Sequence, residues 1–198
     1  MPRTAEQNQR LKEERRRALL KAAREVFARR GLAATKMTDL AAAAGISYGL
    51  VYHYFPDKES VFAALVDETV RGGIELLVSA RQRPGTPWEQ LHYVCTQMLE
   101  GIRKQPAIPL ILVQAHASES IPAAVEQALD RYSTEFNRNL EELITSGQKA
   151  GQIVDVPAEE LARTFIATVQ GLALTQLFPQ MRDTPFPSTD TVLRLFKP

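Results

Sequence analysis

The sequence predicts an all-α protein, with an N-terminal domain of three or four helices built around a helix-turn-helix and a larger C-terminal helical domain. Apolar residues recur at the three- and four-residue spacing of a helix face along most of the 198 residues, and no strand-like alternation persists. Glycine and proline fall between the periodic segments, where helices end. The N-terminal domain is expected over residues 12–72 and the larger body domain over residues 73–198.

Four helices are predicted at the N-terminal end of the chain. Gly31 and Gly45 each follow a periodic apolar segment and suit the left-handed conformation that ends many helices. Ser47 and Asp57 precede the next two segments and are good N-cap residues. A Gly-Gly pair at 72–73 weakens the fourth helix and allows it to bend. The predicted helices cover residues 15–30, 38–44, 48–55 and 57–81.

The body domain is predicted to contain four more helices. A turn with two prolines and a glycine at residues 83–87 precedes them. Pro106 separates the first two, and Gly151 and Pro157 separate the last two. A short tail at 188–196 is expected to add a last turn or two. The predicted helices cover residues 88–104, 107–117, 122–150 and 157–178.

Composition excludes several classes of protein. No apolar run reaches the roughly 18 residues that a membrane-spanning helix needs, and no apolar stretch follows the basic N-terminus. Cys95 is the only cysteine, so no disulfide can form within the chain and a reducing compartment is expected. We therefore expect a cytoplasmic protein with no membrane partner.

Charge is unevenly distributed, although the net charge is only +1. Residues 1–60 contain 12 Lys and Arg against 7 Asp and Glu, a balance of +5, whereas the remainder has a balance of −4. A basic N-terminal third on an acidic body is typical of nucleic-acid binding. The alternative is that the arginines at 15–17 are simply a solvated helix end.

The second and third predicted helices form a candidate helix-turn-helix. Both are short, and the tight turn at Gly45 lets them cross steeply. The third helix carries four polar aromatic side chains that cannot all be buried, and these suit a surface that meets phosphates and base edges. They are Tyr48, Tyr52, His53 and Tyr54. Gly49 would let the backbone approach DNA closely, and Lys58 at the next helix N-terminus could hold a phosphate.

This part of the sequence resembles the tetracycline-repressor (TetR) family of bacterial regulators. The resemblance covers about the first third of the chain, with matching spacing and residue type across four helices. It rests on Ala22, Ala23, Phe27, Gly31, Leu40, Ala41, Ala43, Ala44, Gly45, Ser47, Gly49, Tyr52, Phe55, Lys58 and Glu59. The resemblance implies a four-helix DNA-binding domain whose third helix enters the major groove. It also implies a homodimeric helical body with an inducer pocket.

Carried over to this chain, the resemblance implies a set of DNA-binding residues. Ser47, Tyr48 and Gly49 occupy the start of the recognition helix, followed by its phosphate- and base-contacting tail and by a phosphate clamp. The full predicted set is Lys36, Thr38, Ser47, Tyr48, Gly49, Tyr52, His53, Tyr54 and Lys58. For Tyr52, half-burial against the core is an equally open reading.

One position departs from the family pattern. The family often has Ser or Thr just before helix two, three residues ahead of an acidic residue, whereas this chain has Lys36 ahead of Asp39. The capping box is therefore expected to be absent, and Thr35 or Thr38 is expected to cap the helix instead.

The body domain carries a candidate ligand pocket. A stripe on the helix at 88–104 is mostly apolar but includes a histidine, and a few polar groups in an apolar cavity are how a pocket orients a ligand. The predicted ligand-binding residues are Trp88, Leu91, His92, Cys95, Met98, Leu99, Ile102, Gln114 and Phe165. The alternatives are plain core, with His92 a satisfied buried histidine, or a metal site assembled with His116. No paired Cys/His motif supports a metal, and no cofactor is predicted.

The last two long helices are predicted to pair with a second copy of the chain. Together they have more apolar face than one small bundle can cover, so a four-helix interface between two copies is expected. The predicted interface residues are Leu129, Tyr132, Phe136, Leu161, Phe165, Val169 and Leu172. A twofold protein would match a palindromic operator in double-stranded DNA.

The predicted function is a sequence-specific transcriptional repressor that a small apolar or aromatic ligand releases from its operator. The alternative is a constitutively dimeric DNA-binding regulator with no small-molecule inducer. An enzyme is disfavoured because the sequence has no metal motif, no glycine-rich phosphate loop and no nucleophile elbow.

Overall fold

A computed structural model describes residues 5–118, 121–176, 178–182 and 184–198. In these ranges the chain is helical and contains no strand, which confirms the all-α prediction. The helices are α1 Ala5–Arg30, α2 Met37–Ala44, α3 Tyr48–Tyr54, α4 Lys58–Arg81, α5 Pro87–Lys104, α6 Ala107–Ala117, α7 Ala123–Arg131, α8 Asn137–Lys149, α9 Ala158–Thr175, α10 Pro179–Arg182 and α11 Thr189–Val192. A π-helical turn, Tyr132–Phe136, joins α7 to α8, and a 3-10 turn, Leu193–Phe196, follows α11.

The predicted stop and start signals of the N-terminal helices act as expected. Gly31 and Gly45 have φ angles of 70° and 64°, in the left-handed region that glycine enters without a steric penalty. The Ser47 hydroxyl accepts a hydrogen bond from the Leu50 N–H at the start of α3. The Asp57 carboxylate likewise accepts from the Ser60 N–H at 2.7 Å at the start of α4.

The cap of α2 differs from the one predicted. Lys36 is the N-cap residue, and its backbone N–H donates to the Asp39 carboxylate at 2.9 Å. A lysine side chain has only donors, so just one half of a capping box forms. The expectation that Thr35 or Thr38 caps α2 is wrong, because the buried Thr35 hydroxyl donates to the Gly31 carbonyl and Thr38 is exposed.

The long helix predicted over 122–150 is divided by the π-helical turn. Tyr132 and Phe136, at the two ends of this turn, stack with ring centroids 4.7 Å apart. By contrast, the predicted weak point at 72–73 does not interrupt α4. A Cβ on Gly73 would lie 3.3 Å from the Phe136 ring, so the glycine allows the π-helical turn to pack closely against α4.

Two hydrophobic cores lie along the molecule, and α4 contributes to both. The N-terminal core contains Phe27 and Phe62, in edge-to-face contact, and also includes Ile111 on α6 and Val125 on α7. Helices α6 and α7 therefore contribute to the N-terminal core as well. The second core fills the body domain and includes the C-terminal Phe196. Among the described helices, none combines the length and apolarity needed to cross a bilayer.

Candidate DNA-binding surface and effector cavity

Helix α3 is anchored on one side and exposed on the other. Val51 is fully buried and Phe55 is nearly so, which fixes the helix on the N-terminal core. Tyr48 and Tyr52 lie on the opposite side, with 50% and 42% of their surfaces exposed. Their rings meet edge to face, and their hydroxyl oxygens are 3.0 Å apart. Helix α3 thus presents a pair of hydrogen-bonded phenol groups to solvent.

The hydrogen bond between these two phenols has an electrostatic consequence. The bond with Tyr48 raises the pKa of Tyr52 above its usual value. Tyr52 is protonated at neutral pH, as an ordinary tyrosine is, and the pair of hydroxyl groups can both donate to and accept from a third group.

The other predicted DNA-binding residues are less uniform. Among them, Lys36, Thr38, Ser47, Gly49 and His53 are exposed. Tyr54 is half-buried, packs on the N-terminal core and meets the His53 ring edge to face at 5.3 Å. The structure therefore brings most of the predicted set to one exposed region and turns Tyr54 partly inward.

Lys58 has a structural partner that the sequence did not reveal. Its ammonium donates to the backbone carbonyls of Leu32 at 2.9 Å and Ala33 at 3.1 Å. These carbonyls belong to the turn that follows α1, so Lys58 ties the start of α4 to the end of α1. Two of its three donors are occupied, which leaves at most one for a phosphate.

A cavity of about 380 Å³ lies in the body domain between α4, α5, α6, α9 and the π-helical turn. Most of the lining is apolar. The lining residues are Arg24, Glu68, Thr69, Gly72, Gly73, Leu76, Met98, Gly101, Ile102, Ile108, Pro109, Leu112, Tyr132, Phe136, Ile166, Val169 and Gln170.

Only Met98 and Ile102 of the nine predicted ligand-binding residues line this cavity. The stripe on α5 that begins at Trp88 rises about 21 Å along the helix before Ile102, so its two ends meet different surroundings. Leu91, Cys95 and Leu99 are buried in the body core. Burial raises the pKa of the Cys95 thiol to about 12.

The C-terminal tail accounts for Trp88, His92 and Phe165. The Lys197 ammonium lies 5.6 Å from the centroid of the Trp88 ring. His92 Nε2 is 3.6 Å from the carboxylate of Asp190 in α11. Phe165 is fully buried and meets the Phe196 ring edge-on. These residues hold the tail against the body.

The remaining predicted polar residues also lie away from the cavity. The Gln114 side-chain amide donates to the Ala28 carbonyl at 3.2 Å and thereby joins α6 to α1. His116 is exposed, and its Nδ1 lies 2.8 Å from the Leu112 carbonyl. His92, Cys95 and His116 do not come together, and across the described ranges no group of three His, Cys, Asp or Glu could hold a metal ion.

Sequence reasoning missed the charged end of the cavity. Arg24 on α1 donates through Nη2 to the Glu68 carboxylate on α4 at 3.2 Å and through Nη1 to the Gln105 side-chain oxygen at 3.3 Å. Only 15% of the Arg24 side chain is exposed. In the sequence, Arg24 belongs to the basic face of the first helix, and nothing in that pattern separates it from the solvated arginines around it.

Most of the predicted dimer-interface residues are buried within a single chain. Phe136, Leu161, Phe165 and Val169 are all in the body core, and Leu129, Tyr132 and Leu172 are half-buried. Helix α8 packs on α9, α5 and α4, and α9 also packs on α5 and α6, so the buried members of the set contact other helices of the same chain. Several apolar residues on α9 and shortly after it are exposed, among them Leu174, Phe178 and Met181.

Comparison with known proteins supports a role in transcriptional regulation. Residues 19–65 match the family described as "Bacterial regulatory proteins, tetR family". The chain is 27% identical to the transcriptional regulator YfiR of Bacillus subtilis over 173 residues, which is 84% of this chain and 82% of that protein. It is 49% identical to the transcriptional repressor KstR2 of Rhodococcus jostii over 61 residues, covering 31% of this chain and 28% of that protein.

Solved structures share the whole fold. The MbdR regulator of Azoarcus sp. CIB superposes with a TM-score of 0.74 at 20% identity, covering 90% of this chain and 92% of that one. A complex of SmeT with triclosan superposes with a TM-score of 0.68 at 20% identity, covering 93% and 92%. Together with the exposed helix-turn-helix, these relatives, which are regulators and not enzymes, support a DNA-binding transcriptional regulator whose residues 19–65 match the tetracycline-repressor (TetR) family.

Proposed function

We propose that this regulator is a repressor that a small, mainly apolar ligand releases from its operator. The observation that carries the proposal is the position of the cavity, whose wall includes residues of both α1 and α4. These two helices also build the N-terminal core on which α3 is anchored. A ligand in the cavity would therefore touch the helices that position the DNA-binding surface.

On the DNA side, the proposal places the exposed face of α3 in the major groove. Tyr48 and Tyr52 supply hydroxyl groups for base edges or phosphates. Lys36 and Thr38 of the helix-turn-helix are proposed to lie beside the sugar-phosphate backbone of the DNA. The balance of +5 over residues 1–60 supplies long-range attraction to DNA. Lys58 is proposed to contribute mainly by holding α4 against the turn after α1.

On the ligand side, the cavity volume falls within the range of about 300–1,000 Å³ that is usual for small-molecule sites. SmeT, which shares the fold, was solved with triclosan bound. Helix α4 runs without interruption from Lys58, next to α3, to the cavity wall at Gly72 and Gly73. A ligand that pushes on this wall would shift α4 and move α3 relative to the groove.

We further propose a homodimer whose interface includes the exposed apolar end of α9. Ala167, Gly171 and Leu174 are exposed on this helix at helical spacing, and Phe178 continues the same row. Small residues allow two helices to approach closely, and the apolar residues supply surface to bury. Two copies would present two α3 helices to a palindromic site.

The proposal can be tested by filling the cavity. A Cβ atom added at Gly72, which lines the cavity, would meet no atom within 4 Å, so we expect Gly72→Leu to occupy part of the cavity. Operator DNA is first obtained by selection from a random pool, and compounds that raise the melting temperature of the wild type are then tested for release of that DNA. Gly72→Leu should abolish the response to such compounds, whereas Ser79→Leu, on the exposed side of α4, should keep it.

Two outcomes would contradict the proposal. Compounds that bind in the cavity without changing DNA affinity would leave a constitutive dimeric regulator as the better description. A Gly72→Leu protein that still releases DNA fully would place the effector elsewhere.

A further inference from the structure

Of the three nitrogens of the Arg24 guanidinium, one has no hydrogen-bond partner in the part of the chain that the structure describes. Nη1 and Nη2 are bonded to Gln105 and Glu68. Nε, by contrast, is buried and has no hydrogen-bond partner among the described residues. Buried N–H groups normally find an acceptor, and Arg24 lines the cavity. Because Nη1 and Nη2 each carry a second N–H, an acceptor on a molecule in the cavity could add a hydrogen bond to this guanidinium.

The charges at this end of the cavity restrict what that acceptor can be. A carboxylate would meet Arg24 but would also lie close to Glu68, which lines the same cavity. An ammonium group would be repelled by the positive charge of Arg24. A neutral carbonyl oxygen accepts a hydrogen bond without either repulsion.

The rest of the lining favours an apolar molecule. The Thr69 hydroxyl is already engaged, since it donates to the Leu65 carbonyl on its own helix at 2.8 Å. Away from Arg24 and Glu68, the surface is formed largely by aliphatic and aromatic side chains. These include Leu76, Met98, Ile108 and Phe136. The burial of apolar ligand surface against them would supply most of the affinity.

We infer that the cavity binds a neutral, mainly apolar molecule whose carbonyl oxygen accepts a hydrogen bond from the Arg24 guanidinium. This inference rests on the proposed function, because it specifies the ligand class for the same cavity. It can nevertheless be measured on the full chain without DNA.

Three probes with the same phenylethyl group test the inference. Benzylacetone ends in a neutral methyl ketone, hydrocinnamate in a carboxylate, and n-butylbenzene in an ethyl group that cannot accept a hydrogen bond. Binding of each is measured by isothermal titration calorimetry. Benzylacetone should bind about tenfold more tightly than either of the other two, as expected for one hydrogen bond from a charged donor.

Two variants separate the roles of the ion pair. Glu68→Gln keeps an acceptor for Arg24 Nη2 and removes the negative charge. Hydrocinnamate should then bind about tenfold more tightly, while benzylacetone changes by less than about twofold. Arg24→Leu removes the donor, so benzylacetone should fall to the affinity of n-butylbenzene, which itself stays unchanged. If Arg24→Leu does not fold, as judged by circular dichroism, the Glu68→Gln comparison decides.

Several results would overturn the inference. These are equal affinities of the three probes for the wild type, no detectable binding of any of them, or a ketone preference that survives in Arg24→Leu. Hydrocinnamate binding that ignores Glu68→Gln would do the same. Failure of the proposed function gives a different result, in which benzylacetone shows the expected preference but leaves operator affinity unchanged.

Discussion

The Lys58 ammonium lies 2.9 Å from the carbonyl oxygen of Leu32 and so ties the start of α4 to the turn after α1. A second bond, to the Ala33 carbonyl, strengthens the same link. The two helices it joins both reach the cavity, through Arg24 on α1 and Gly72 on α4. Helices α1 and α4 are therefore joined at two places. Lys58 joins them near α3, and the ion pair of Arg24 with Glu68 joins them at the cavity.

Replacing Lys58 should lower stability as well as DNA affinity. Lys58→Met leaves the two carbonyls without their ammonium partner, and we expect a loss of about 1–2 kcal/mol in the free energy of unfolding. Urea denaturation followed by circular dichroism measures this loss. Lys36→Met is the matched control, since the Lys36 side chain is exposed and makes no side-chain cap, and it should change stability by less than about 0.5 kcal/mol. Equal stability of Lys58→Met and the wild type would contradict the structural role.

Removal of the Tyr52 hydroxyl should weaken operator binding without affecting the fold. Tyr52→Phe keeps the ring on the exposed face of α3 and deletes one group able to bond to DNA, so we expect about a fivefold loss of affinity. Fluorescence anisotropy with the selected operator measures it. Tyr93→Phe removes a hydroxyl from the body domain and should bind like the wild type. An unchanged affinity of Tyr52→Phe at matched salt would place this part of α3 away from the DNA.

The start of α4 should be sensitive to acid through Asp57. The hydrogen bonds from Ser60 hold the pKa of the Asp57 carboxyl below its usual value. A folded-state pKa below the unfolded value gives stability that is present above the unfolded pKa, about 4, and is lost as pH falls through the folded pKa. Asp57→Ala should therefore be less stable than the wild type at pH 7, and the difference should shrink below about pH 4. A difference that stays constant down to acid pH would contradict the charged cap.

The Cys95 thiol should be unreactive in the folded protein. It is fully buried, and burial raises its pKa to about 12. At pH 8 the thiolate that reacts with disulfide reagents is then scarce and inaccessible. Labelling with Ellman's reagent should be slow in buffer and fast in denaturing urea. Rapid labelling in buffer would show that the body core opens readily.

Local signals in the sequence predicted the fold well because each acts on its own neighbours. Gly31, Gly45, Ser47 and Asp57 end or begin helices through their own backbone conformation or through a side chain that reaches three residues along. The π-helical turn at Tyr132–Phe136 was not predicted, because no glycine or proline marks it and its stacked rings fit equally well on a regular helix face.

The candidate sites were harder to predict because they depend on which surfaces meet. The stripe on α5 is mostly apolar along its whole length. The packing of the other helices and of the C-terminal tail decides that a cavity lies beside Met98 and Ile102, whereas Leu91, Cys95 and Leu99 lie in the core. The apolar face of α9 posed the same problem. Periodicity identifies a face to be buried, but it does not say whether the partner is another helix of the same chain or a second copy.

Two phenylalanines near the C-terminus should respond differently to the introduction of a charge. Phe178 is half exposed, and Phe165 is fully buried in the body core. Phe178→Glu should place a charge in the proposed interface and shift the protein from dimer to monomer, while its circular dichroism and melting temperature stay close to those of the monomeric wild type at high dilution. Phe165→Glu should instead prevent folding, because it buries an unpaired charge inside one chain.

Val78→Glu is the matched control, since Val78 is an exposed apolar residue on α4 outside the α9 surface, and it should remain a dimer. Sedimentation velocity at micromolar concentration measures the association state of each protein. A wild type that sediments as a monomer, or a Phe178→Glu protein that remains a dimer, would show that the end of α9 is not where two copies meet.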